Sequence, residues 1–116
     1  MNKRLVGKEK EELAAEFLTR HGFFILEKNF SCRNGEIDIV AKEGDTLCFV
    51  EVKYRSSLDF GYPEENVDIK KQRKICRTAL FYMTSHGYQG NSRFDVVSIV
   101  PDRIKLIRNA FSYIYE

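Results

Sequence analysis

Two segments rich in strand-forming residues, joined by a turn signal, constrain the fold of this chain most. Residues 36–42 read EIDIVAK and residues 46–54 read TLCFVEVKY, and Gly44 opens the two-residue loop between them. β-Branched and aromatic residues favour strands, and glycine at the first central position of such a loop fits a type II′ turn. The sequence therefore predicts an antiparallel hairpin whose register places Asp38 opposite Glu51.

This register assigns every hairpin residue to one of two faces, because side chains alternate along a strand. One face is wholly apolar, whereas the other carries three acids and a lysine at the open end of the hairpin. We therefore expect the first face to be buried and the second to be half-buried. The apolar face holds Ile37, Ile39, Ala41, Cys48, Val50 and Val52, and the polar face holds Glu36, Asp38, Glu51 and Lys53.

The opposed acids require an explanation, because like charges facing each other across roughly 5 Å destabilise a hairpin. A divalent cation between Asp38 and Glu51 would remove the repulsion, and carboxylate oxygens suit Mg²⁺ or Mn²⁺. Lys53 lies on the same face and could stabilise charge on a phosphate or on an attacking water. The alternative is a surface hairpin in which Lys53 forms weak ion pairs with Glu36 and Glu51.

Composition indicates the class of protein and its compartment. A chain of 116 residues with 43% hydrophobic and 31% charged residues is typical of one soluble domain, residues 1–116. We expect no membrane association, because the sequence contains no apolar run of about 20 residues and no secretory signal pattern. The three cysteines, Cys32, Cys48 and Cys76, have no CxxC spacing, which favours reduced thiols in the cytoplasm over a zinc site. The net charge of +2 does not by itself indicate a polyanionic partner.

A helix is predicted over residues 3–20, and it carries an unexpected acid. Glu11 falls in the same arc as Ala14 and Leu18, which belong to the apolar stripe of this helix. A buried lone acid needs a partner or a cation, so Glu11 could point towards the polar end of the hairpin. The alternative is that Glu11 ends the buried stripe and reaches water.

A second helix, predicted over residues 67–85 with Asn66 as its N-cap, supplies positive charge. Its basic residues recur at i, i+3, i+4 and i+7, which places them in one stripe flanked by Lys71. Such a stripe suits the phosphates of a nucleic acid, although a solvated helix face is the alternative. Further strands are predicted over residues 23–30, 93–100 and 103–108. The expected nucleic-acid-binding residues are Lys70, Arg73, Lys74 and Arg77, with Arg33 and Arg55 near the hairpin, and the expected core-facing residues of the helix are Ile69, Cys76, Ala79, Leu80 and Met83.

Asp38 followed by Glu51-Val52-Lys53 resembles the D…ExK form of the PD-(D/E)xK nuclease signature. A wider set of blocks is similar to the YraN-like family of bacterial proteins, which is related to archaeal Holliday junction resolvases. The blocks follow in order over nearly the whole chain, which makes the resemblance far more specific than ExK alone. They are Gly7 with Glu11–Ala15, Gly35–Asp38, Phe49–Arg55 and Arg93–Val97.

The resemblance implies a restriction-endonuclease-like α/β core, in which helices flank a mixed sheet in the order α-β-β-β-α-β-β. It also implies that Asp38, Glu51 and the backbone carbonyl of Val52 ligate Mg²⁺ or Mn²⁺. Lys53 would position or activate the attacking water, and Glu11 would match the helix acid that helps to hold metal or water in the resolvases. A homodimer is the assembly that the resolvases suggest, and the number of metal ions stays open.

Three functions are compatible with these residues. The first is a metal-dependent endonuclease that acts on structured or branched DNA. The second is a non-catalytic nucleic-acid-binding domain of repair, recombination or competence, and the third is a phosphodiesterase or ribonuclease with another substrate. The presence of Asp38, Glu51 and Lys53 together favours a catalytic role, because a binding module has no need for opposed acids.

Overall fold

The computed structural model describes residues 3–55 and 67–114, and the side chains of residues 3–6 are outside this description. Two helices are present: α1 spans Lys3–Arg20 and α2 spans Ile69–Ser85. Both were predicted from the sequence to within two residues. Neither they nor any other helix in the described ranges is long and apolar enough to cross a membrane.

Five strands form one mixed sheet in the order β1-β2-β3-β4-β5. Neighbouring strands are antiparallel except β3 and β4, which are parallel and are connected through α2. The element order α-β-β-β-α-β-β confirms the expected restriction-endonuclease-like α/β arrangement. The strands are β1 (Phe24–Cys32), β2 (Gly35–Glu43), β3 (Thr46–Tyr54), β4 (Ser92–Val100) and β5 (Arg103–Phe111).

The β2–β3 hairpin has the predicted register over the half nearest its turn. The ladder runs from Glu43 opposite Thr46 to Ile39 opposite Val50. Gly44 has φ +59, whereas the next residue is not among those with positive φ, as a type II′ turn requires. The paired ladder ends immediately before Asp38 and Glu51, so the two strands part where the polar residues begin.

A second irregularity at the same level of the sheet lies in β1. Asn29 has φ +56, a left-handed conformation that asparagine tolerates better than most residues, and it is absent from the β1–β2 register between Lys28 and Phe30. Beyond this point Ile37, opposite Phe30, packs on the α2 side of the sheet, whereas Ile39 packs on the α1 side. The prediction that Ile37 shares a face with Ile39 is therefore wrong, because strict alternation fails at Asn29 and Asp38.

The core consists of two apolar layers, one on each face of the sheet. On one face α1 contributes Ala14 and Leu18, both fully buried, which contact strand residues such as Val50. On the other face α2 packs against the sheet around Phe49 and Phe94. The two helices therefore cover opposite faces, and the open end of the hairpin lies between them.

The buried face of α2 differs from the prediction. Ile69 and Leu80 are largely exposed, so their assignment to the core is wrong. The helix is rotated about its axis, so that only one side of the expected apolar face packs against the sheet. Its N-cap is Asp68. The predicted N-cap, Asn66, lies outside the described residues. The buried residues of α2 are Ile75, Cys76, Thr78, Ala79 and Tyr82.

Candidate functional site

The site lies where β2 and β3 part. Asp38 on β2 and Glu51 on β3, the acid pair, are joined by a hydrogen bond between their carboxyl groups. The backbone N–H of Val52 donates to Oδ2 of Asp38 at 2.8 Å, which fixes the aspartate across the gap between the strands. Glu51 is only 8% exposed. The predicted convergence of these two acids is therefore present, whereas the role of the Val52 carbonyl as a ligand stays a prediction.

The surroundings of Asp38 favour its protonated form. Burial and the hydrogen bond and negative charge of Glu51 raise its pKa to about 9, against the opposing effect of the Val52 N–H. Asp38 therefore favours its protonated form at neutral pH when no metal ion is bound. A divalent cation could take the place of this proton, since it neutralises both carboxylates at once.

Lys71 of α2 contacts the acid pair directly, which sequence reasoning missed. Its Nζ lies 3.2 Å from Oε2 of Glu51, and it lines the same pocket as Asp38 and Lys74. Burial lowers the pKa of Lys71, but the charge and hydrogen bond of Glu51 outweigh this effect and raise it. The sequence pattern placed Lys71 only beside the basic stripe. Its contact with Glu51 depends on how α2 is rotated against the sheet, which tertiary packing determines.

Lys53 is half-buried beside this ion pair. Burial lowers its pKa, the charge of Glu51 opposes that shift, and the charge of Lys71 adds to it. Two ammonium groups thus face one buried carboxylate. Arg55, exposed at the end of β3, also contributes positive charge at Lys53.

Glu11 approaches the site from α1, on the other side of the sheet. Burial raises its pKa, and the negative charges of Glu36 and Glu51 add to the shift. A hydrogen bond with the Asn29 side chain has the opposite effect on this pKa. Asn29 was not predicted as a site residue. An asparagine within a run of strand-forming residues could have indicated a left-handed backbone conformation at this position. Glu11 therefore lies close enough to Glu36 and Glu51 to interact with their charges, as expected if it points towards the polar end of the hairpin.

The predicted nucleic-acid-binding residues occupy exposed positions. Lys74 lines the pocket of the acid pair together with Lys71. The other three basic positions of the stripe are exposed along α2, and Arg33 is exposed in the turn between β1 and β2. A second groove, between α1 and β1, contains none of the predicted site residues. The predicted stripe residues of α2 other than Lys74 are Lys70, Arg73 and Arg77.

The donor set fits a magnesium-type ion only in part. Within residues 3–55 and 67–114, no group of three or more His, Cys, Asp and Glu side chains is arranged to hold a metal. Two adjacent carboxylates are nevertheless the usual protein contribution to Mg²⁺, which keeps several waters and binds substrate phosphates. Asp38 and Glu51 would be the ligands, and such an ion would supply a Lewis acid for phosphoryl chemistry.

Comparison with solved structures supports the fold class. The chain is similar to the 1.6 Å structure of Archaeoglobus fulgidus Hjc, a Holliday junction resolvase from an archaeal hyperthermophile, with a TM-score of 0.54. The match covers 84% of this chain and 72% of that chain at 20% sequence identity. The two proteins therefore share the restriction-endonuclease-like fold.

Sequence comparison gives the family. Residues 10–99 match the model of the uncharacterised protein family UPF0102, and the chain belongs to this family. A UPF0102 protein of Lachnoclostridium phytofermentans is 48% identical over 96% of both chains. Another, from Caldicellulosiruptor bescii, is 49% identical over 96% of this chain and 100% of its own length. A third, from Persephonella marina, is 48% identical over 94% of this chain and 95% of its own.

Proposed function

We propose that this protein is a metal-dependent endonuclease that hydrolyses phosphodiester bonds in structured or branched DNA. The observation that carries the proposal is the buried acid pair, Asp38 and Glu51, held together at a strand opening beside Lys53. An arrangement with opposed acids is costly to fold, so it favours a role in chemistry. The fold shared with a Holliday junction resolvase supports a nucleic acid as substrate.

Each residue has a role that its position allows. Asp38 and Glu51 would hold Mg²⁺ or Mn²⁺, with the Val52 carbonyl as a further ligand. Lys53 would orient the attacking water and stabilise negative charge at the phosphate. Burial lowers the pKa of Lys53, so a larger fraction of it is neutral than of an exposed lysine, although the charge of Glu51 limits this effect.

Two further groups of residues would serve binding. Glu11 would hold a water or a metal-bound water at the edge of the site, with Asn29 keeping it in place. The exposed basic residues of α2, with Arg33 and Arg55, would bind the phosphates on either side of the cleaved bond. In a homodimer, two such sites could cut the two equivalent strands of a four-way junction.

The activity is tested by incubating the protein with Mn²⁺ or Mg²⁺ and a panel of duplex, flap, four-way junction, single-stranded DNA and RNA. We expect cleavage of at least one branched DNA, and no cleavage in EDTA. Lys53→Ala should reduce cleavage by about 100-fold or more while DNA affinity changes little, because Lys53 acts on the reacting phosphate. Cleavage by Lys53→Ala at the wild-type rate would contradict the assigned role.

The second candidate is a non-catalytic nucleic-acid-binding domain, which the exposed basic stripe favours. It predicts junction binding that weakens steeply with salt, without cleavage of any member of the panel. Salt-dependent binding alone fits both functions, whereas metal-dependent product formation fits only the first. Cleavage of RNA but not DNA would instead support the ribonuclease alternative.

A further inference from the structure

We propose that Lys71 contacts the substrate in this site. Its ammonium group is the counter-ion of Glu51 in the free protein and binds the phosphate of the scissile diester in the complex. The inference rests on the proposed nuclease function and adds a residue from α2 to it. It is drawn from contacts in the pocket, because the sequence pattern placed Lys71 only beside the basic stripe.

The ammonium group of Lys71 already lies beside the acid pair. Its Nζ lies 3.2 Å from Oε2 of Glu51, so Lys71 already reaches the group that is expected to lie next to the reacting phosphate. The side chain of Lys71 is 45% exposed, whereas that of Glu51 is 9% exposed. An incoming phosphate could therefore meet Lys71 from solvent without any opening of the core.

Hydrogen bonds at the start of α2 fix the backbone of Lys71. The carboxylate of Asp68, the N-cap of α2, accepts a hydrogen bond from the Lys71 N–H at 2.8 Å. The next residue is also anchored, since the side-chain amide of Gln72 donates to the Val67 carbonyl at 2.9 Å. The first turn of α2 therefore aims Lys71 at the pocket, and only its flexible side chain needs to move between two anions.

The balance of charge in the pocket also favours an anionic ligand. The side chains of Lys53 and Lys71 lie next to each other, and both interact with the single carboxylate of Glu51. Two adjacent ammonium groups repel unless anions lie between them. A phosphodiester supplies one such anion, and a divalent ion on Glu51 would reduce the attraction of Glu51 for Lys71. Substrate and metal together would therefore favour the transfer of Lys71 from Glu51 to the phosphate.

Lys74 provides a useful contrast. It lines the same pocket, but its position is a turn further along α2 and it belongs to the exposed stripe. We expect Lys74 to contribute to DNA affinity whether or not a metal is bound. Lys71 should contribute only once Glu51 no longer holds it, and this difference can be measured without cleavage.

The experiment compares Lys71→Met and Lys71→Arg with the wild type, and with Lys8→Met as a control on the exposed surface of α1. Affinity for a four-way DNA junction is measured by fluorescence anisotropy in EDTA and in Ca²⁺, which replaces Mn²⁺ so that the substrate stays intact. Affinity for Mn²⁺ alone is measured by calorimetry. Thermal melts confirm that each variant is folded, as expected for a half-exposed position.

We expect Lys71→Met to weaken junction binding by about tenfold in Ca²⁺ and by less than about twofold in EDTA, which is the size of one lost charged contact. Mn²⁺ affinity should be unchanged or higher, because a competing cation is removed from Glu51. In Mn²⁺ the turnover rate should fall by about 100-fold with a smaller effect on KM. Lys71→Arg should restore part of the binding, and Lys8→Met should match the wild type.

Several outcomes would overturn the inference. Equal loss of binding in EDTA and Ca²⁺, or no loss in Ca²⁺, would show that Lys71 is not released to the substrate. Weaker Mn²⁺ binding by Lys71→Met would show that Lys71 supports the acids instead. A wild type that binds the junction through Lys71 but never cleaves would refute the nuclease proposal alone. A wild type that binds no DNA in either condition would refute both.

Discussion

Replacing Asp38 with asparagine should stabilise the metal-free protein while abolishing its response to divalent ions. An asparagine side chain has the shape of the protonated aspartic acid. Its carbonyl can accept the hydrogen bond that the Val52 N–H now donates at 2.8 Å, and its amide can donate to Glu51. Asp38→Asn therefore keeps the contacts of the protonated acid without requiring a proton.

The magnitude follows from linkage between protonation and folding. The pKa of Asp38 rises from 3.8 in the unfolded chain to about 9 in the fold, because of burial and of Glu51. The folded protein thus binds one more proton than the unfolded chain between these values, so its stability falls as pH rises through that window. At pH 7 the free energy of unfolding of the wild type is lower than at low pH by at most about 4 kcal/mol. We expect Asp38→Asn to have a free energy of unfolding about 2–4 kcal/mol higher than the wild type at this pH.

Urea unfolding followed by circular dichroism provides the assay. Both proteins are measured in EDTA between about pH 5 and about pH 8, and the difference in unfolding free energy should grow with pH. Asp102→Asn, in the exposed turn before β5, controls for the loss of one carboxylate elsewhere. Mn²⁺ should stabilise the wild type and not Asp38→Asn. Parallel pH profiles, or a variant less stable than the wild type at pH 7, would refute the reasoning.

Three further predictions concern the stability of the fold. Hydrogen bonds from Arg108 and Arg93 lower the pKa of Glu43 to about 2, so this contact stabilises the fold above the unfolded pKa of 4.5 and is lost as pH falls towards 2. Glu43→Gln should cost about 1 kcal/mol at pH 7 and less below about pH 3 in urea unfolding, and an equal cost at both pH values would contradict this account. Gly35 has φ +153, and a Cβ there would lie 3.1 Å from the Thr78 hydroxyl, so Gly35→Ala should cost about 1–3 kcal/mol. Gly7→Ala, with nothing within 4 Å of the new Cβ in α1, should instead stabilise the protein by about 0.5–1 kcal/mol, and a loss of stability there would be unexpected.

The regular parts of the fold were predictable because local rules determine them. Turn chemistry at Gly44 and alternation along β2 and β3 were sufficient for the hairpin register from the turn to Ile39 and Val50, since a slip by one residue would have buried the charges. The rotation of α2 was not predictable in the same way. Its stripe of apolar residues is broad, and contacts such as that of Tyr82 with Phe30 and Phe49 select which flank faces the sheet.

The same distinction explains which parts of the candidate site were visible in the sequence. Asp38 and Glu51 directly follow the last pair of the hairpin ladder, Ile39 with Val50, and the sequence specifies this ladder over a short distance. Lys71 reaches Glu51 only because tertiary packing rotates α2, and Asn29 reaches Glu11 only because β1 departs from regular geometry. The residues on either side of Asn29, Lys28 and Phe30, pair with Ile39 and Ile37, so this irregularity lies at the level of Asp38, where the pairing of β2 with β3 also ends. The opening gives residues from α1 and α2, on opposite faces, access to one buried pair of acids, which an unbroken sheet would have separated.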